Sequence, residues 1–161
     1  MTGDLPTKKY VLDTNTLIDF ALWNPIHLNK IFWEKLESSL AEGKWIFLDV
    51  VFKEITRSGA LKDWCKKQRA NGLVTNINDA DRSKAIEINN TYPMIDQSTF
   101  NSEGDTFILA YVQNNKIALF TRERNKKLDE VLHKIPDVCD SLGIEYTRLP
   151  EDFLNSIGFK N

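Results

Sequence analysis

Short apolar runs and longer segments of helical periodicity alternate along the chain. The apolar runs predict strands at 9–12, 45–48, 117–120 and 144–147, with a further extended piece at 73–75. Short buried strands that alternate with helices are typical of a parallel sheet covered by helices on both faces. The pattern therefore predicts an α/β fold, a three-layer α/β/α sandwich with a central, mostly parallel sheet.

Helices are expected where apolar residues recur at helical spacing between these strands. We predict them at 16–22, 25–42, 50–55, 61–70, 78–90, 105–115, 136–142 and from 150 onward. Asp49 is expected to cap the helix after the second strand. No repeat, low-complexity tract or linker divides the chain, so residues 1–161 are expected to form a single domain.

Composition and charge narrow the class of protein. Of the 161 residues, 42% are hydrophobic and 27% are charged, and the formal net charge is −2 at pH 7. These values are typical of a soluble globular protein, and the charge does not fit one that holds nucleic acid by bulk charge. The first ten residues lack the apolar core of a signal peptide, and no apolar run reaches the length of a membrane span. We expect a cytoplasmic protein with no membrane partner.

Cysteine and histidine are too few and too scattered to form a zinc site. The chain contains Cys65, Cys139, His27 and His133, without the paired spacing that zinc ligands show. We expect both thiols to be buried and idle in a reducing compartment.

Four carboxylates stand where predicted strands end or predicted helices begin. Asp13 follows the first strand, and Glu54 lies in the first turns of the helix after the second strand. Asp105 opens the most apolar helix, and Glu123 follows the strand that ends at Phe120. In a parallel sheet all four side chains would project toward the same carboxyl edge, where like charges repel unless a cation lies between them. Hard divalent cations such as Mg²⁺ prefer oxygen ligands, and a pair of such ions can promote phosphodiester hydrolysis.

Each of these acids also has a structural interpretation. Asp13 and Asp105 fit helix caps. Glu54 alone fits a solvated helix face, and Glu123, which two arginines flank, fits a surface ion pair of little energetic worth. The joint placement favours the functional interpretation, because four independent caps or surface charges need not fall on one edge of one sheet.

Four segments, in order along the chain, resemble the motifs of PIN-domain nucleases. Residues 10–15, Tyr-Val-Leu-Asp-Thr-Asn, resemble the opening strand and acidic turn of that family. Residues 49–55 look like the exit of the second strand and the helix that carries the family's Glu. Residues 104–110 resemble the acidic helix start, and residues 119–123 resemble the fourth strand with its Thr-x-acid ending.

The resemblance implies a PIN-like fold and a Mg²⁺- or Mn²⁺-dependent endoribonuclease, often the toxin of a bacterial toxin–antitoxin pair. RNA is the implied substrate, and an antitoxin protein and a homodimer are further partners compatible with it. Supporting polar roles fall to Asn15 and Thr121. The implied catalytic and metal-binding residues are Asp13, Glu54, Asp105 and Glu123. The chain departs from the family pattern at Asn125, where a second acid often follows.

Two groups of basic residues are candidates for contacts with RNA phosphates. The group that follows the predicted site, called here the 122–127 cluster, is expected to bind them and comprises Arg122, Arg124, Lys126 and Lys127. The group on the predicted helix 61–70 fits a solvated face equally well and comprises Lys62, Lys66, Lys67 and Arg69. Trp23, Trp33 and Trp64 are interpreted as core or interface residues rather than base-stacking platforms.

Two other functions stay open. Residues 13–16 superficially resemble the start of haloacid dehalogenase-like phosphatases, but Asn15 replaces their second acid and Leu109 occupies the final position of their later acidic motif. The other alternative is a PIN-like module that binds RNA or protein without cleaving, and the retention of all four acids argues against it. The glycine-rich motifs of nucleotide-binding folds are absent from the sequence.

Overall fold

A five-stranded sheet forms the centre of the protein in a computed structural model, which describes residues 8–96, 99 and 103–159. The strands are β1 (Tyr10–Leu12), β2 (Trp45–Leu48), β3 (Val74–Thr75), β4 (Ala118–Phe120) and β5 (Tyr146–Thr147). They lie in the order β3-β2-β1-β4-β5, and each neighbouring pair is parallel. The predicted α/β architecture with a mostly parallel sheet is confirmed.

Helices flank this sheet. They are α1 (Thr14–Trp23), α2 (Lys30–Ala41), α3 (Asp49–Glu54), α4 (Ala60–Ala70), α5 (Asp79–Thr91), α6 (Glu103–Asn115), α7 (Ile135–Leu142) and α8 (Pro150–Ser156). Val11 and Leu119 point to the face opposite to that of Leu12 and Phe120, because successive side chains of a strand alternate between faces. All four are buried, so helices cover both faces of the sheet.

Several helix starts differ from the prediction, among them that of α1, which begins at Thr14 rather than at 16, and those of α2, α3 and α6. α2 begins at Lys30, not at 25, because residues 26–28 form a turn and the Asn29 side chain caps the helix by accepting from the Phe32 backbone N–H at 3.3 Å. Asp49 is the first residue of α3 and not its cap; its Oδ1 accepts from the Ile77 backbone N–H at 3.4 Å. α6 begins at Glu103, which places Asp105 inside its first turn.

An aromatic cluster fills the core between the sheet and helices α1 and α8. Phe153 of α8 is fully buried, and its ring lies 5.5 Å from that of Phe120, 5.8 Å from that of Phe20 and 5.9 Å from that of Trp45. Aromatic pairs in this geometry add stabilisation beyond the area they bury. The cluster therefore fixes α1, and with it the residues that precede α1, against the middle of the sheet.

The strand order determines where the candidate site falls. β1 lies between β2 and β4, so the chain builds the sheet outward on one side of β1 and then crosses to the other. Ligand sites in open α/β sheets lie beyond the carboxyl ends of the strands at such a switch point. Leu12 is in register with Phe120, and the Asp13 backbone N–H donates to the Phe120 carbonyl oxygen at 3.3 Å. Asp13 and Thr121 therefore leave the sheet side by side.

Two further predictions concern the thiols and the membrane. Cys65 and Cys139 are both buried and free, and burial raises the pKa of each thiol to about 12, so the expectation of buried thiols is confirmed. Across the described residues, every helix is too short or too polar to cross a membrane.

Candidate active site

Asp13 is the most buried acid of the site, with 3% of its surface exposed. It is the N-cap of α1, and its Oδ1 accepts from the Thr16 backbone N–H at 2.9 Å and from the Thr16 hydroxyl. Its Oδ2 accepts from the Thr121 hydroxyl at 2.5 Å. The capping interpretation is therefore correct in geometry, and it also holds the carboxylate at the carboxyl end of β1 in one orientation.

Thr121 joins Asp13 to Glu123. While its hydroxyl donates to Asp13, the same oxygen accepts from the Glu123 backbone N–H at 3.1 Å. Glu123 is half-buried, and its Oε2 accepts from the backbone N–H of Ile135, the first residue of α7, at 3.0 Å. The structure thus places Thr121 where a supporting polar group would act, and it connects Glu123 both to the site and to α7.

Glu54, the last residue of α3, reaches the site from the β2 side. The Thr14 hydroxyl, one residue after Asp13, donates to Glu54 Oε1 at 3.1 Å. The Glu54 carboxylate also rests against α6, because a Cβ added to Gly104 would lie 2.0 Å from Oε1 and 2.7 Å from Cδ. Only a glycine permits this approach. Asp105 follows Gly104 directly and lies partly buried in the same turn of α6.

The electrostatic environment raises the pKa of three of these acids. Burial is the main cause for Asp13, where hydrogen bonds from Thr121 and Thr16 oppose the rise and the charge of Asp19 adds to it. Burial also raises the pKa of Glu54 and of Glu123, and the negative charge of Asp13 adds to both. Three carboxylates from three segments therefore share one field, in which a cation would be favoured.

Glu54 lines two cavities. One, of about 420 Å³, lies between α1 and the segment 55–61 and has a mostly apolar lining that includes Leu22 and Arg57. The other, of about 270 Å³, lies between α3, α5 and α6 and is lined in part by Arg82. Glu54 is thus within reach of solvent and of a bound molecule on two sides.

The donor set suits a hard divalent cation in its chemistry. The converging ligands are carboxylate and hydroxyl oxygens, and Mg²⁺ commonly takes only one or two carboxylates and keeps several waters. Within residues 8–96, 99 and 103–159, however, no group of three or more Asp, Glu, His or Cys side chains is spaced to hold one ion together. The described geometry therefore fits an ion bound through one or two carboxylates and water, rather than one enclosed by all four acids.

The basic residues of the 122–127 cluster and those of α4 differ in how many contacts they make within the protein. In the 122–127 cluster, Arg122 lies near Asp19 and over the Trp23 ring, and Lys126 Nζ donates to the Glu130 carbonyl oxygen at 3.2 Å. Arg124 and Lys127 are exposed. On α4 three of the four basic side chains make contacts within the protein: Lys62 and Arg69 lie over the Phe52 ring, and Lys67 pairs with Glu37. These contacts favour the structural interpretation of the α4 face.

Asn15 and Asn125 make no hydrogen bond to the four candidate acids in the part of the chain that the structure describes. Asn15 is exposed, and its side chain makes no hydrogen bond to any residue that the structure describes, so its supporting role stays a prediction. Asn125 donates from Nδ2 to Asp137 Oδ1 at 2.8 Å and to Asp140 Oδ2 at 3.3 Å, which ties the segment after β4 to α7.

The structure adds residues that the sequence analysis did not single out. Thr14 and Thr16 bind the carboxylates of Glu54 and Asp13, and their positions within the Asp-Thr-Asn-Thr segment were an available signal. Gly104 and Asp19 carried no such signal, because each matters only through a neighbour from a distant part of the chain.

Comparison with known proteins identifies the family. The family described as "Domain of unknown function (DUF4411)" matches residues 10–160. The chain belongs to this family. The DUF4411 match extends over every candidate residue from Asp13 to Glu123 and over all five strands. Its description names no activity, so the resemblance of the four motifs to PIN-domain nucleases stays a prediction.

Other comparisons add little to the DUF4411 assignment. No curated protein matches the chain. A solved structure described as a toxin–antitoxin complex from Klebsiella pneumoniae is similar over 71% of this chain and 86% of that chain, with a TM-score of 0.44 and 16% sequence identity. Similarity at that level carries no inference about what the chain does.

Proposed function

We propose that this DUF4411 protein is a Mg²⁺- or Mn²⁺-dependent endoribonuclease that hydrolyses RNA phosphodiester bonds and serves as the toxin of a toxin–antitoxin pair. One observation carries the nuclease proposal. Asp13, Glu54 and Glu123 come from three separate segments at the carboxyl edge of the sheet; the Thr14 hydroxyl binds Glu54, Thr121 links Asp13 to Glu123, and the charge of Asp13 raises the pKa of both glutamates.

The chain's own residues would position and charge the site. Thr121 and Thr16 hold Asp13 in a single rotamer, so that the carboxylate needs no rearrangement to meet a ligand. Thr14 orients Glu54, and Asp13 and Glu54 are the residues that would hold the ion, with Asp105 and Glu123 as nearby acids. A bound divalent cation supplies a water of lowered pKa and neutralises charge on the phosphate. Arg124 and Lys127 lie exposed beyond the acids and would contact flanking phosphates.

The test is cleavage of a single-stranded RNA by Asp13→Asn and Asp105→Asn. Both variants are expected to lose Mg²⁺- or Mn²⁺-dependent cleavage, whereas Asp63→Asn, which changes an exposed acid in the first turn of α4, is expected to keep it. Full activity in either site variant, with contaminating nucleases excluded by a mock purification, would overturn the proposal.

Loss of activity through unfolding can be distinguished in the same preparations. Burial raises the folded-state pKa of Asp13 above its ordinary value of 3.8, so its ionisation destabilises the folded state as the pH rises past that value. Asp13→Asn removes this cost but also replaces one accepting oxygen by an NH₂ group, so the two effects oppose each other and the variant is expected to remain folded at pH 7. Thermal unfolding of both proteins measures this.

A second function, RNA or protein binding without cleavage, is favoured by one contact. Glu123 Oε2 already accepts from the Ile135 backbone N–H, a structural use of the fourth acid. The toxin role follows from the motif resemblance alone. Expression of the wild type in a bacterial host is expected to arrest growth and that of Asp13→Asn to permit it, while arrest by both would favour the non-cleaving function.

A further inference from the structure

Trp23 differs from the other three tryptophans in its exposure. Trp33, Trp45 and Trp64 are buried in the core, whereas 54% of the Trp23 surface is exposed. Of the two alternatives predicted for these tryptophans, core or interface, the core is confirmed for Trp33 and Trp64, whereas Trp23 lies outside it. An exposed indole at the end of α1 lacks the stabilisation that burial would provide.

The Trp23 ring is paired with Arg122. The Arg122 guanidinium carbon lies 4.1 Å from the centre of the ring, and its Nε lies 3.9 Å from the Asp19 carboxylate on the same helix. Arg122 directly follows Thr121, whose hydroxyl binds Asp13. Arg122 therefore connects the segment at the carboxylate site to Trp23, which lies at the opposite end of α1 from Asp13.

We propose that Trp23 and Arg122 form a stacking platform for one unpaired base of a single-stranded RNA whose backbone crosses the carboxylates. This inference rests on the proposed function and names a residue pair that would position its substrate. A cation covers only one face of an aromatic ring, and the exposure of Trp23 leaves the rest of the indole open to solvent. Bases stack on tryptophan and on planar guanidinium groups in proteins that bind single strands.

The charges around the pair favour a nucleic acid over a protein partner. Asp19 and Trp23 both lie close to the Arg122 side chain, which makes it less available as a phosphate contact than an unpaired arginine would be. Exposed Arg124 and Lys127 follow in the chain and are placed to meet the backbone of the same strand. A polyanion with unpaired bases matches both features, because Trp23 offers the aromatic face and the exposed cations follow its partner Arg122 in the chain.

Intrinsic fluorescence tests the proposal without any cleavage. With the three other tryptophans buried, oligonucleotide binding to the full chain in EDTA is expected to quench the emission of Trp23. A single-stranded RNA is expected to quench it, and an abasic strand of equal length and charge, or a duplex, is not. In Trp23→Phe the quenching should disappear while the affinity, measured by anisotropy of a labelled strand, is largely kept.

Substitutions then separate stacking from charge. Trp23→Ala and Arg122→Lys are each expected to weaken binding of the base-bearing strand roughly 5- to 100-fold, because lysine keeps the charge but not the plane. Neither should change the affinity for the abasic strand by a similar factor. Ile86→Ala, which truncates an exposed apolar side chain on α5, is the matched control and should bind like the wild type.

Three results would overturn the proposal. Equal quenching by abasic and base-bearing strands, or wild-type affinity in Arg122→Lys, would make Arg122 a phosphate contact only. Tryptophan emission that does not change when RNA is added would also overturn the proposal. If, in addition, the wild type sediments as a dimer and Trp23→Ala as a monomer, the pair is a protein interface. Quenching by RNA in a protein that never cleaves would instead refute the nuclease and keep the platform.

Discussion

Replacing Gly104 by Ala tests whether the close contact between α6 and Glu54 sets the geometry of the site. The backbone at Gly104 is ordinary helix, so alanine suits it and only the neighbouring carboxylate resists. A Cβ at this position would lie 2.0 Å from Glu54 Oε1, whereas real Cβ contacts are essentially never shorter than 3.0 Å. The carboxylate must therefore move by at least 1.0 Å, the difference between these two distances.

The effects on stability and on activity are expected to separate. Glycine to alanine within a helix stabilises by up to about 1 kcal/mol. Displacing Glu54 breaks its hydrogen bond from Thr14, which costs about 1 kcal/mol. The two nearly cancel, so the melting temperature should change by no more than about 4 °C. A misplacement of about 1 Å at a catalytic group can reduce the rate roughly 100-fold.

The assay is a double-mutant cycle with Glu54→Ala. Urea unfolding of the wild type, the two single variants and the double variant gives the coupling between positions 104 and 54. In the Glu54→Ala background the added methyl meets no carboxylate, so alanine at 104 should stabilise by its full helix propensity. Cleavage of RNA in Mg²⁺ or Mn²⁺ is measured on the same four proteins.

Two outcomes would contradict this reasoning. A coupling of zero in the unfolding cycle would mean that Glu54 does not rest against α6 in solution. Wild-type cleavage in Gly104→Ala, with coupling present, would mean that the position of Glu54 does not matter for the reaction. Because unfolding is measured without RNA, the contact is tested even if the protein does not cleave.

Three further predictions follow from individual contacts. Thr121→Val removes the hydroxyl between Asp13 and Glu123 and is expected to destabilise the protein by about 1–3 kcal/mol in urea unfolding, with recovery in Thr121→Ser; equal stability of the two variants would contradict the bridge. Cys65 and Cys139, with pKa raised to about 12, should resist a thiol reagent at pH 8 until urea is added, and rapid labelling of the native protein would refute their burial. Asp137 accepts from the backbone N–H groups of Lys126 and Lys134. Burial opposes the change, but these bonds and that from Asn125 lower the pKa of Asp137 below 3.8. The ionised carboxylate therefore stabilises the fold above that pH, and this contribution is lost as the pH falls through the lowered pKa. Asp137→Asn should therefore be less stable than the wild type at pH 7 and equal to it in strong acid, and a difference that persisted there would show that the charge is not the cause.

Local patterning in the sequence carries much of the fold. The run Tyr10-Val11-Leu12 is too short and too apolar for anything but a buried strand, and Asp13 after it both caps α1 and faces the edge of the sheet. The same holds for Phe120 and Thr121, where an apolar strand ends in a side chain able to hydrogen-bond. The local sequence was sufficient to predict these strand ends and the cap of α1, because both are determined by neighbours a few residues away.

The tertiary structure alone decides which of these ends meet. That β1 pairs with β4 brings Thr121 to Asp13, and that α6 packs beside α3 makes Gly104 a contact of Glu54. Asp19 and Trp23 join Arg122 for the same reason, and nothing near them in sequence marks them. Hydrogen bonds and desolvation act over a few ångströms of space, and the residues concerned are separated by most of the chain. The sequence thus determined which acids stand at the ends of strands and helices, and the tertiary structure determined their partners, their burial and the shifts in their pKa values.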